Sequence, residues 1–536
     1  MEFDFVVVGA GSAGCPVARR LSDAGRYSVC LIEAGPRDTN PWIHIPVGYF
    51  RTMNNPRSDW RYYTQPDPGI NGRAIPWPRG RVMGGSSSIN GLLYVRGQPQ
   101  DYDHWRQLGN TGWAWDDVLP YFKRAENWGG DTPDPENLRG HKGPLAVNPT
   151  RLSRDIVDHW VEAAVNAGYK RNPDYNGSDQ EGVGYFQLTQ KAGQRCSSAK
   201  AYITPVRGKR DNLEVITDAQ AEKLLIENRV ARGVIVRRKG ESMTIRARRE
   251  VILSAGAIGS PQLLMLSGVG DGEALAKHGI TSVSHVPGVG RNLQDHLQAR
   301  PVYKTTLSTI NVETNSLFKK AMIALEYAAK RTGPMTMAAS LGTGFLKTDE
   351  RLETPDIQFH IQPFSASAPA DGPHKFSAFT ASVLQLRPES TGHLELKSAD
   401  PMAHPDIHPN YLATDLDQQT IVKGIQVARK IAGHSPLKDV VTEEYAPGRE
   451  IAFDDYDGTL DWARNTAVTI YHPTGTCKMG SDEMAVVDER LRVRGIGGLR
   501  VADASIMPQI ISGNTNAPCI MIGEKVSDMI LEDAVA

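Results

Sequence analysis

The stretch Phe5-Val6-Val7-Val8-Gly9-Ala10-Gly11-Ser12-Ala13-Gly14 limits the fold more than any other in this chain. A run of apolar, mostly β-branched residues fits a strand buried on both faces. It passes directly into G-x-G-x-x-G, and a helical pattern follows through Val17, Ala18 and Leu21. A second apolar run, Val29-Cys30-Leu31-Ile32, ends at Glu33 and Ala34. Strand, turn, helix, strand and acid in that order form one βαβ unit of about 30 residues. Each glycine has a physical task. Gly9 permits the tight turn, Gly11 lets a pyrophosphate approach the backbone, and Gly14 lets helix and strand pack closely. The helix N-terminus then offers N–H groups and a positive dipole end to the anion. The Glu33 carboxylate is placed to accept hydrogen bonds from both hydroxyls of an adenosine ribose and would repel a 2′-phosphate. The unit therefore specifies a dinucleotide site and argues against NADP, without separating FAD from NAD.

The rest of the chain reads as two units. Short apolar runs at 213–216, 224–226, 234–236 and 251–253 suggest more strands of the first sheet. A final strand at 499–501 and a helix from Pro518 towards Glu532 make that unit discontinuous. Between them, 357–362, 383–386 and 393–397 alternate apolar and polar residues, which suggests an antiparallel sheet with one wet face. The expected fold class is α/β (α+β overall). It joins a Rossmann-like dinucleotide-binding domain (1–155, 190–300 and 465–536) to an antiparallel-sheet domain (156–189 and 301–464). Residues 36–80 show no period and read as an extended connection.

Several spaced motifs carry a resemblance. Gly80-Arg81-Val82-Met83-Gly84-Gly85-Ser86-Ser87-Ser88-Ile89-Asn90-Gly91 is similar to the first signature of the glucose–methanol–choline (GMC) oxidoreductases. Residues 256–270, beginning Gly256-Ala257-Ile258-Gly259-Ser260-Pro261, resemble the second. Gly290-Arg291-Asn292-Leu293-Gln294-Asp295-His296, Tyr471-His472-Pro473-Thr474-Gly475-Thr476-Cys477 and Val501-Ala502-Asp503-Ala504-Ser505 also resemble that family, in the same order along the whole chain.

The resemblance implies the GMC fold and FAD. It implies that the pyrophosphate lies at Gly9–Gly14, with Ser12 and Ala13 in that loop, and the ribose at Glu33. The loop from Gly84 through Gly85, Ser86, Asn90 and Gly91 would run along the flavin. Ala221 would meet the adenine through its backbone. Asp503 and Ala504 would contact the cofactor near the isoalloxazine. Some relatives attach FAD through a histidine in the first loop. Here that position is Ile89, so non-covalent FAD is expected.

The resemblance also implies hydride transfer from an alcohol carbon to flavin N5, with a protein base taking the hydroxyl proton. One histidine among 14 says little by itself. His472 matches the family's active-site position, and imidazole suits the task because it titrates near neutral pH. Its expected partner is Asn516 on the C-terminal loop. Asn514, two residues earlier, reads more readily as a turn residue. Phe364, Tyr471, Met335 and Met337 are candidate walls of the substrate pocket. Choline-oxidising relatives resemble a pattern with Glu where this chain has Leu341, which disfavours choline. The expected substrate is therefore a primary alcohol with an aliphatic, polyether or aromatic body. Alternatives are a peroxide-forming alcohol oxidase, a choline dehydrogenase, a hydroxynitrile lyase, and a non-catalytic FAD-binding scaffold.

Composition narrows the partners. A formal net charge of −1 implies no overall attraction to nucleic acid. No run approaches the ~18 apolar residues of a membrane span, and no leader pattern opens the chain. The five cysteines are scattered, so neither a disulfide framework nor a metal site is expected. The electron acceptor would be a quinone, another carrier or O₂. The expected location is cytoplasmic, with peripheral contact at the inner membrane if a quinone is used. A homo-oligomer is compatible with the sequence.

Overall fold

The computed structural model describes residues 1–367 and 372–535. The first βαβ unit forms as expected: β1 spans Glu2–Val8, α1 Gly14–Asp23 and β2 Val29–Ile32. β1 pairs in parallel with β2 on one side (Val8↔Ile32) and with the strand Glu241–Leu253 on the other (Val8↔Leu253). Leu213–Ile216 extends the sheet beyond β2. The long strand Glu241–Leu253 shares its other edge between two partners. Its first half pairs antiparallel with Val230–Arg238, and its last residues pair in parallel with Leu499–Val501. With Ala219–Glu227 this makes a seven-stranded sheet. β1 and β2 are apolar on both faces because helices cover a parallel sheet on both sides.

The C-terminal helix, Asn516–Asp533, docks against α1. Gly523 makes the close approach available: a Cβ there would lie 2.4 Å from the Ala13 carbonyl oxygen. Glu524 is fully buried and charge-matched. Its carboxylate accepts from Arg20 Nε (2.8 Å), Arg124 Nε (2.6 Å) and the Tyr202 hydroxyl (2.7 Å). A buried carboxylate is tolerated only when paired in this way. The network fixes the helix, and hence the loop before it, over the glycine-rich turn.

The second sheet has eight strands among the described residues, in the order 441–446, 302–305, 378–385, 357–362, 342–346, 182–185, with 297–299 added beside 378–385 and 468–469 beside 297–299. The pairs among them are antiparallel. The last two strands lie inside 190–300 and 465–536, segments expected to belong to the first unit. The polypeptide thus enters the second sheet a few residues earlier, and leaves it a few later, than the sequence suggests.

The expected wet face is a correction. Gln358 and His360 are buried, like the apolar residues they alternate with. One face of the sheet is covered by the helix Asp415–Ala432, where a Cβ on Gly424 would meet the Val383 side chain at 2.8 Å. The other face closes over an internal cavity. The polar residues therefore face an enclosed site rather than bulk water. The stretch 393–397 also differs from expectation. His393–Glu395 pairs with Asp406–His408 in a separate two-stranded hairpin. No helix among the described residues is long and apolar enough to cross a membrane.

Candidate active site

A cavity of about 1270 Å³ lies between the two sheets. Ligand sites for single drug-sized molecules run to roughly 1,000 Å³. This one has room for a dinucleotide and a small substrate together.

The floor is built from the glycine-rich turn. Gly9 has φ +103°, and a Cβ there would meet the Ser254 carbonyl oxygen at 2.4 Å. A Cβ on Gly14 would lie 1.9 Å from the Gly9 carbonyl oxygen. Gly11 is different: its Cβ would have only one neighbour within 4 Å, at 3.9 Å. Its missing side chain leaves a concavity of the kind a pyrophosphate would occupy. Glu33 is buried and holds its own loop, accepting from Ala10 N (3.0 Å) and Gly35 N (2.8 Å). Burial pushes its carboxyl up to about 7 against those two hydrogen bonds. Gly11, Ser12, Ala13, Glu33 and Ala34 all line the cavity, as does Gly9. Ala221 lines the same end. These features fit an extended dinucleotide.

The loop 84–91 runs beside it. Gly85, Ser86, Asn90 and Gly91 face the cavity. Gly84 and Gly14 do not line it and act through packing. Gly84 has φ +90° and donates its N–H to the Ala10 carbonyl (2.8 Å). The serine hydroxyls serve the loop itself. Ser86 Oγ accepts from Gly80 N, while Ser87 and Ser88 donate to the carbonyls of Gly84 and Met83. Arg195, which sequence reasoning missed, locks the loop from beneath. It donates to the Ser87 and Asn90 carbonyls and to Asn90 Oδ1 (2.6 Å). Asp503 lines the floor with its carboxylate on Ser260 Oγ, Gly256 N and Ser505. Ala504 follows it into the wall.

The roof presents His472, which is buried. Its backbone is over-determined. Asp295 accepts from the His472 N–H (2.7 Å) and from Thr469 Oγ1 (2.6 Å). Tyr471 sits at φ +71°, an outlier for a bulky residue, and is held there from both sides. Its N–H donates to Thr469 Oγ1 (2.7 Å), and its carbonyl accepts from Arg79 (2.6 Å).

The ring's tautomer follows from its neighbours. His296 Nε2 lies 2.8 Å from the Leu386 carbonyl oxygen, which can only accept, so that nitrogen carries the proton. His296 Nδ1 is then an acceptor, 3.0 Å from His472 Nδ1, which must donate. The lone pair of His472 is thereby placed on Nε2. Burial pushes the His472 imidazolium well below the usual histidine range, with His296, His360 and Arg79 adding to the effect. Neutral His472 with its lone pair on Nε2 is a base.

The partner of that lone pair corrects the sequence expectation. Asn514, not Asn516, meets His472: Asn514 Nδ2 lies 3.0 Å from Nε2. Gln358 Nε2 donates to Asn514 Oδ1 (3.3 Å), which orients the amide. Asn516 is the first residue of the C-terminal helix, and its Oδ1 accepts from Ser12 Oγ (2.8 Å) in the glycine-rich turn. Two residues of chain separate the floor partner from the roof partner, and spacing alone could not tell them apart. Phe364, Tyr471, Met335 and Met337 all line the cavity, with Phe364 and Met337 well buried. His296, Gln298, Arg300 and His360 also face it or back it; only the DH of the 290–296 motif signalled any of them. One group among the described residues has metal-ligand spacing: His393, Glu395 and His408, within 4.8 Å of one another on the separate hairpin. It is not part of the cavity lining.

A dinucleotide cradle facing a neutral imidazole across one cavity defines an oxidoreductase that works through a bound cofactor. Comparison with known proteins agrees. Models of the GMC oxidoreductase N- and C-terminal regions match residues 3–298 and 388–523. An alcohol dehydrogenase [acceptor] from Pseudomonas putida is 42% identical over 535 residues, covering 99% of this chain and 96% of its own length. An oxygen-dependent choline dehydrogenase from Brucella anthropi is 42% identical over 534 residues, with the same coverage. Among solved structures, pyridoxine 4-oxidase from Mesorbium loti superposes with a TM-score of 0.88 at 30% identity, covering 98% of each chain. A formate oxidase variant from Aspergillus oryzae, studied for its FAD modification, gives 0.92 at 29% identity, covering 99% of this chain and 98% of its own. The chain belongs to the GMC oxidoreductase family.

Proposed function

We propose that this protein is an FAD-dependent alcohol-oxidising enzyme that converts a primary alcohol to its aldehyde, with His472 as the base and Asn514 beside it. The observation that carries this reading is the fixed tautomer: Leu386 orients His296, His296 orients His472, and a lone pair is left at Nε2 inside the cavity. FAD, when bound, supplies the hydride acceptor. The glycine-rich turn, Glu33, Ala34, Ala221 and the 84–91 loop would hold it, with Asp503 and Ala504 at the floor. Ile89 lines the cavity without a nucleophilic atom, which supports non-covalent binding.

The residues of the chain divide the remaining work. His472 Nε2 takes the hydroxyl proton as the C–H bond breaks. The Asn514 N–H that rests on Nε2 must give up that lone pair to the substrate hydroxyl, after which the amide can donate to the developing alkoxide. His472 and Asn514 are both buried, which strengthens both interactions. The relatives named for an acceptor and for oxygen dependence support two outlets for the electrons, a carrier such as a quinone, or O₂.

Anaerobic mixing of the holoenzyme with primary alcohols should bleach the flavin. His472→Ala should slow that bleaching by on the order of 10²–10⁴-fold without releasing the flavin. Failure of every alcohol to bleach it, or an undiminished rate in His472→Ala, would overturn the reading. Peroxide formed per aldehyde separates the oxidase from the dehydrogenase.

A further inference from the structure

The roof strand Leu297–Ala299 is bracketed by His296 and Arg300. Along an extended chain every second residue shares a face, so His296, Gln298 and Arg300 point the same way. His296 supports the base, and Gln298 and Arg300 line the cavity. Arg300 stands about 13 Å along the chain from His296 at the usual rise per residue. Its guanidinium lies deep in the molecule and is accessible only in part, at the cavity it lines.

Arg300 differs from most arginines held inside the molecule; Arg81, whose side chain also has no hydrogen bond or ion pair with any described residue, lies over the Trp60 ring. Arg96 and Arg139 are neutralised by Glu126 and Asp174, and Arg500 by Glu250 and Asp533. Arg195 and Arg79 donate to backbone carbonyls. The Arg300 side chain has neither an ion pair nor a hydrogen bond with any described residue. Its electrostatic neighbours are the phenols of Tyr471 and Tyr49. Burial lowers the pKa of its guanidinium, the sign of a cation without a compensating charge. An unpaired charge taken out of water is costly unless a ligand completes it.

On the substrate side, the charged residues among the described lining are all cationic. There the cavity is lined by Arg300 and, nearer the surface, by Arg51 and Lys320. The carboxylates among its described lining residues are Glu33 and Asp503, both on the floor and both hydrogen-bonded within the protein. Among the described residues, none offers a cationic substrate a counter-charge beneath the roof. An anion would be drawn inwards and completed at Arg300.

We propose that the substrate is an alcohol carrying a carboxylate, its hydroxyl at His472 and its carboxylate on Arg300 between Tyr49 and Tyr471. The planar guanidinium matches a carboxylate through two parallel N–H donors, which a lysine could not reproduce. The phenol hydroxyls are within the same pocket to donate to its remaining lone pairs. This inference rests on the alcohol-oxidising reading of the same site and adds the chemical class of the substrate.

The test uses the flavin-loaded enzyme and ω-hydroxycarboxylates of graded length, each beside the n-alcohol of equal length and an alcohol ending in trimethylammonium. The hydroxy acid of best length should show a KM at least tenfold below that of its uncharged match, and the trimethylammonium alcohol the highest KM. In Arg300→Gln the KM ratio between acid and uncharged alcohol should collapse towards one. Simple alkanoates, which cannot be oxidised, should compete with the hydroxy acid and perturb the flavin spectrum of the unmodified enzyme. That second readout stands if the variant fails to fold. Uncharged alcohols oxidised as well as hydroxy acids, or alkanoates that neither compete nor perturb the spectrum, would overturn the proposal while leaving alcohol oxidation intact. No bleaching by any alcohol would instead remove the broader reading.

Discussion

The floor and the roof of the cavity are polar in opposite ways. On the floor, the groups that would meet the cofactor are largely backbone, and the carboxylates are already bonded within the protein. Glu33 holds Ala10 and Gly35, and Asp503 holds Ser260, Ser505 and Gly256. On the roof, side chains face the cavity with capacity unused. His360 Nε2, Gln298 Oε1 and Gln358 Oε1 are buried without partners, and Arg300 has no counter-charge among the described residues. The difference follows from what each surface has to recognise. A cofactor of fixed shape is held by glycine geometry and main-chain N–H groups. A substrate is selected by side chains, and those must stay unsatisfied until it arrives.

Substitutions can break that comparison, and the largest effect is expected on the floor. Gly14→Ala puts a Cβ against the Gly9 carbonyl, where 1.9 Å is available. The variant should lose most of its flavin, read as the ratio of flavin to protein absorbance. Circular dichroism would show whether the rest of the fold survives. Retention of full flavin would mean that backbone shape does not define the floor.

A smaller pair of effects should separate Asn514 from Asn516. Asn514→Ala removes the amide next to His472 Nε2 and should slow flavin reduction by on the order of 10²–10³-fold. Asn516→Ala removes a hydrogen bond to Ser12, worth about 1 kcal/mol, and should weaken flavin retention more than it slows reduction. The reverse ranking would return Asn516 to the base and take Asn514 away from it.

The smallest effect is a displacement in pH. His472 must be neutral to act, and burial lowers its pKa below the ordinary 6.5. The neutral form then persists as pH falls through 6.5. The acid limb of kcat/KM should lie below that value and not at it. A limb at or above pH 6.5 would show that the roof leaves the imidazole hydrated.

The floor was legible in the sequence because its determinants are local. Gly9, Gly11 and Gly14 act within six residues, and Glu33 ends the adjacent strand. The 84–91 loop was legible for the same reason, although Gly84 and the three serines proved to shape the loop. The roof was less legible. The alternation at 357–362 gave the strand correctly but not the destination of its polar side chains. Burial on both faces depends on a helix from 415–432 and on the floor beneath. Asn514 and Asn516 are the plainest case. Both are asparagines beside a helix start, and only docking of that helix through Glu524 directs one to His472 and the other to Ser12.

Sequence by itself determined the dinucleotide cradle, the family and the histidine that faces it, because short-range backbone constraints are written in residue order. Tertiary structure decided the tautomer of His472, its amide partner and the unpaired cation at Arg300. Those are properties of contacts between segments up to hundreds of residues apart, and charge and proton placement depend on which groups meet once water has been excluded.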